Sequence, residues 1–113
     1  MSGDGAAAAA TAVAYVRAVA THDWPGVCAT RIRAEREQLA RHEGSCEHAM
    51  ESVFGSQSLE HLTAATAGGV RRRGAIIAVD MLQLGQSTPF MTLLLQQEGS
   101  LWLLVDLPDE AEF

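Results

Sequence analysis

The apolar residues of this chain recur with two different periods, and the change falls at Gly68-Gly69. Before the two glycines they return every three to four residues, the spacing that lines one face of a helix. After them they alternate, the spacing that lines one face of a strand. Helices followed by hairpin-linked strands predict an α+β domain, because a sheet and its helices must each bury one apolar face against the other. The 113 residues fit one domain, 1–113, since domains typically run to roughly 100–200 residues.

In the first half, Ala12, Tyr15, Val16 and Val19 fall at i, i+3, i+4 and i+7. This predicts a helix from about Asp4 or Gly5 to Thr21. Asp23 is placed to cap a short second helix with Trp24 and Pro25 in its first turn. There Trp24, Val27 and Cys28 share a face. Thr30 reads as the cap of a third helix from Arg31 to Glu43, strongly charged, stopped by Gly44. Ser45 caps a fourth, in which Cys46, Met50, Val53 and Phe54 form one apolar face. Leu59 to Ala65 offers one or two further helical turns.

In the second half, the expected strands are Val70–Arg72, Ala75–Leu84, Pro89–Gln97 and Leu101–Leu107, separated by glycine-containing turns. Pro108 ends the last strand, and Asp109 to Phe113 are expected to fray. Ile77, Val79 and Met81 lie on one side of the second strand, with Ala78 and Leu82 beside Asp80 on the other. On the last strand Leu101, Leu103, Val105 and Leu107 oppose Trp102 and Leu104. A sheet apolar on both faces in so small a domain suggests a partner on its open face, here a homodimer packed sheet to sheet.

The formal net charge is −6, which disfavours nucleic acid and anionic lipid surfaces. The basic run Arg71-Arg72-Arg73 alternates across a strand and has no interleaved aromatics, so it is no nucleic-acid platform. No apolar run reaches the roughly 18–20 residues needed for membrane insertion. Ala6 to Val16 does not read as a signal peptide, since Asp4 and no basic residue precedes it. The chain is either cytoplasmic or a mature segment whose leader has been removed.

Four segments together resemble the nuclear transport factor 2-like superfamily, in the compact form found in actinobacterial secreted proteins and lipoproteins. They are Ala12-Val13-Ala14-Tyr15-Val16-Arg17-Ala18-Val19 with His22-Asp23-Trp24; Val27-Cys28-Ala29; Gly44-Ser45-Cys46-Glu47; and Glu98-Gly99-Ser100-Leu101-Trp102-Leu103-Leu104-Val105-Asp106-Leu107. The resemblance spans nearly the whole chain and rests on the order of the segments. It implies a curved sheet of three or four strands wrapped around N-terminal helices, a cone-shaped α+β barrel with room for a pocket. It favours a secreted or lipoprotein-derived mature domain over a cytoplasmic one. Relatives include SnoaL-like cyclases and steroid isomerases beside many non-catalytic binders, so the fold does not fix the function.

The resemblance also implies that Cys28 and Cys46 form a disulfide; two buried thiols are the alternative. An acid–base enzyme on this fold needs an ionisable group within the cone. Asp80, mid-strand among apolar residues, is the candidate base, because burial would raise its pKa. Tyr15 is the candidate oxyanion donor. Against this, Asp80 is opposite in pleat to Ile77, Val79 and Met81 and so can face solvent or an interface, and Tyr15 can be a core residue. Trp24, Phe90 and Trp102 are the aromatics available to a ligand pocket, although both tryptophans also read as core anchors. His42, Cys46 and His48 match no zinc spacing, and no cofactor motif is present. The reading is a non-catalytic domain that binds an apolar small molecule or a protein partner. The alternative is a small acid–base isomerase, cyclase or dehydratase.

Overall fold

A computed structural model describes residues 3–105. The element order is α1 (Gly3–Ala20), α2 (Trp24–Ala29), α3 (Arg33–Glu43), α4 (Cys46–Phe54), a 3₁₀ helix (Glu60–Ala64), then β1 (Thr66–Arg73), β2 (Ile76–Leu82), β3 (Met91–Glu98) and β4 (Leu101–Leu104). The strands form an antiparallel meander in the order β1-β2-β3-β4, an open sheet. The fold is thus α+β, with helices first and packed on one face of four strands. No helix among the described residues is long and apolar enough to cross a membrane. The expected end of the last strand at Leu107 and Pro108, and Asp109 to Phe113, lie outside the described residues.

The core forms where the two periods meet. Ala8, Ala12, Tyr15, Val16 and Val19 line the buried side of α1, and Ile77, Val79 and Met81 of β2 face them with Leu93 and Leu95 of β3 and Trp102 and Leu104 of β4. Strand register brings these residues level, with Val79 opposite Leu93 and Ile77 opposite Leu95. On the other face, Ala78 and Leu103 are also buried, while Leu101 is 59% exposed.

Three local expectations are corrected. Thr30 does not cap α3. Its hydroxyl donates to the Val27 carbonyl at 2.6 Å, and its own carbonyl accepts from Leu104 N at 2.7 Å. With Ile32 N bonded to the Leu104 carbonyl, residues around Arg31 run parallel to β4, and α3 starts only at Arg33. Satisfying backbone groups along a sheet edge outweighs one side-chain cap.

Gly68 and Gly69 do not precede the sheet; they lie inside β1. The register slips between Ala67 and Val70, a bulge. A Cβ on Gly68 would sit 3.0 Å from Leu82 Cδ1, and one on Gly69 3.1 Å from Asp80 Oδ2. The pair therefore permits a close approach that a side chain would obstruct.

Val53, expected in the α4 core stripe, is 56% exposed. The helix buries the narrower set Cys46, Ala49 and Met50, because it packs chiefly on α2 and α3. Elsewhere the expected caps hold. Asp23 accepts from Gly26 N, Ser45 accepts from His48 N, and Gly44 ends α3 at φ +90°.

Cys28 and Cys46 are joined as a disulfide, tying α2 to α4.

Candidate functional site

The middle of α1 turns Tyr15, Val16 and Val19 toward the end of the sheet where β2 and β3 are linked by the long connection 83–90. The 3₁₀ helix packs on α1. Between them lies a cavity of about 190 Å³. Its walls are those three α1 residues, Phe54 at the end of α4, Gln57 of the following turn, Leu59 and Leu62 around the 3₁₀ helix, and Phe90 and Met91 at the start of β3. Val16, Val19, Tyr15 and Leu62 are buried, whereas Met91 is 37% exposed. The inner wall is thus made by core side chains, and the outer wall by residues in contact with solvent.

The lining is apolar apart from the Tyr15 hydroxyl and the Gln57 amide. The hydroxyl is held from behind. Arg31, only 8% exposed, donates through Nη2 to Tyr15 Oη at 3.4 Å and places its guanidinium 5.6 Å from the ring centroid. Arg31 is itself paired with Glu35 at 3.2 Å. Arg31 opens the strongly charged run that reads as a helix from Arg31 to Glu43. Arg31 is instead drawn inward because its backbone pairs with Leu104. The Gln57 amide nitrogen donates to the Val53 carbonyl, and the Gln57 carbonyl meets His22 Nε2 at 3.1 Å. His22, at φ +57°, stacks on Trp24 with ring centroids 4.9 Å apart. The turn that walls the cavity is therefore tied to the α1–α2 corner.

Of the residues singled out from sequence, the structure brings Tyr15 and Phe90 into one cavity. Trp24 lies outside it, stacked on His22. Trp102 is 2% exposed within the core, with the Arg72 guanidinium 5.5 Å from its ring. Asp80 projects from the opposite face of the sheet. Both its oxygens are held by Arg71, at 3.1 Å each, and Thr92 Oγ1 donates to Oδ1 at 2.7 Å. Asp80 and Tyr15 thus do not meet. Phe54, Leu59, Leu62 and Met91 had been legible only as core or turn residues, since nothing local in the sequence says that they converge.

A second groove, of about 510 Å³, runs between the start of α1 and β1. Its walls are largely Gly and Ala, which offer few atoms for dispersion contact. Its one cation, Arg72, is engaged by Asp4 at 3.0 Å. Among the described residues, no three His, Cys, Asp or Glu side chains gather as a metal site.

No family model, curated protein or solved structure matches this chain.

Proposed function

We propose that this chain is a non-catalytic binding domain that takes a small apolar molecule into the cavity between α1, α4, the 3₁₀ helix and the start of β3. The observation that carries this reading is the lining itself: apolar and aromatic walls in which Tyr15 and Gln57 are the polar residues among those described, the usual make-up of a small-molecule site. The volume limits the ligand. A dry engineered cavity of roughly 150 Å³ takes benzene, so about 190 Å³ suits a single aromatic ring or a short branched hydrocarbon. A steroid or polyketide of several rings would need the walls to move.

The acid–base alternative draws less support. Tyr15 lines the cavity, but Asp80 is across the sheet and no carboxylate or imidazole is among the described lining residues. Kinship with the nuclear transport factor 2-like superfamily agrees with N-terminal helices packed on a four-stranded antiparallel meander. It stands as part of this proposal.

The test is titration of isotope-labelled protein with indole and with toluene, followed by NMR. Shifts centred on Tyr15, Leu62 and Phe90 are expected, and they should vanish in Leu59→Trp, which fills the cavity from its half-buried wall. Saturating probe without shifts at these residues would overturn the reading.

We also propose that two copies associate through the outer sheet face, where Leu101 is exposed and Ile76, Leu82 and Leu94 are half-buried. Light scattering at high micromolar concentration should give twice the chain mass; a monomer there ends the proposal.

A further inference from the structure

We infer that the Cys28–Cys46 disulfide is an exchangeable bond, opened in the folded protein by a low-molecular-weight thiol or dithiol. The two cysteines form part of the wall of a groove of about 340 Å³, together with Pro25, Arg36, Gly44 and Glu47. They are 4% and 6% exposed, and this groove is where both cysteines meet a solvent-connected space. The inference is independent of the apolar cavity.

The two sulfurs sit in unlike electrostatic positions. Cys46 is the first residue of α4, directly after its cap Ser45. Ser45 Oγ satisfies His48 N, while the N–H groups of Cys46 and Glu47 have no acceptor within the helix. Those donors and the positive end of the helix dipole stabilise a thiolate at this position. Cys28 lies in the last turn of α2, where its carbonyl accepts from Arg31 N and the dipole has the opposite sense. Arg36 adds a cation to the groove wall. Its Nε is buried and makes no hydrogen bond among the described residues. Glu47 is the one carboxylate among the described residues of the wall, so the groove is not uniformly attractive and a neutral thiol reagent enters it most readily.

The asymmetry fixes the direction of exchange, since the better-stabilised thiolate leaves faster. An incoming thiolate forms a bond to Cys28 Sγ as the Cys28–Cys46 bond breaks, and the electron pair leaves on Cys46 Sγ. A dithiol reagent completes the reaction. Its second thiolate attacks its own sulfur in the mixed disulfide, expelling Cys28 as a thiolate. The reagent is thereby oxidised to a disulfide and the protein gains two electrons.

The experiment uses the full oxidised chain and 2-mercaptoethanol in excess, with acid quenching and peptide mapping by mass spectrometry. The adduct is expected on Cys28 about tenfold over Cys46. The rate should be unchanged by urea below about 1 M, as for attack on the native state. Arg36→Gln should slow exchange severalfold with an unchanged circular dichroism spectrum. A rate that climbs with urea along the full unfolding slope overturns the inference, because the bond would then open only in unfolded chains. An adduct on Cys46, or equally on both, overturns the assigned direction. An unchanged rate in Arg36→Gln removes the part given to that residue.

Discussion

Arg71 holds both oxygens of Asp80 from the neighbouring strand, each at 3.1 Å, across the non-core face of the sheet. Arg71 pairs with Ala78 in the β1–β2 register, two residues from Asp80, so the long side chain reaches along the strand to the carboxylate. A mid-strand acid that looked like a candidate base is thereby the acceptor of a fork-shaped ion pair, with Thr92 adding a third donor.

Asp80→Asn is therefore predicted to lower unfolding stability by about 0.5–1 kcal/mol, the upper range for a partly exposed pair with good geometry. It should leave binding of indole in the apolar cavity unchanged. Urea denaturation and ligand titration of the same variant check both parts. Loss of binding with little loss of stability would return Asp80 to the site.

Glu98 caps α3 from the end of β3. Its carboxylate oxygens lie 3.2 and 3.1 Å from the Arg33 backbone nitrogen, at the positive end of a helix that has no side-chain cap of its own. Glu98→Ala should cost about 1 kcal/mol. Thr30→Ala, at the residue that reads as the local cap, should cost about half as much. Comparing their denaturation midpoints at equal slope tests which residue caps the helix.

Removing the disulfide, as Cys28→Ser with Cys46→Ser, should cost about 3 kcal/mol by the chain-entropy estimate for a loop of this length. The sequence separation is 18 residues. The loss should appear as a lower urea midpoint against the oxidised parent. An equal midpoint would mean that packing of α2 on α4 suffices without the cross-link.

Tyr15→Phe removes the acceptor for Arg31 Nη2 and keeps the ring that lines the cavity. The expected cost is about 1 kcal/mol, the scale of one buried hydrogen bond to a charged group at a long distance. Affinity for toluene should not change, since toluene uses only the ring face. A large loss of toluene binding would show that the Arg31 contact shapes the cavity wall.

Much of the architecture is legible residue by residue. The helical spacing of Ala12, Tyr15, Val16 and Val19, the caps Asp23 and Ser45, the stop at Gly44 and the alternation through Ile77, Val79 and Met81 all report on near neighbours in the chain. Errors arise where a distant strand intervenes. Leu104 takes the Thr30–Ile32 backbone into the sheet edge and shifts the start of α3. Asp80 and Leu82 lie against Gly68-Gly69, which therefore serve a bulge and not a boundary. The candidate site was half legible: Tyr15 and Phe90 share the cavity, while Asp80, Trp24 and Trp102 do not line it.

The sequence by itself determined the two periods, the capped helix ends and the alternating strand faces, because each depends on residues a few positions apart whose geometry the backbone dictates. Only the tertiary structure decided which apolar residues enclose space and which fill it. Tyr15, Leu62 and Phe90 are far apart in the chain, and a gap between them exists only once α1, the 3₁₀ helix and β3 have taken their places.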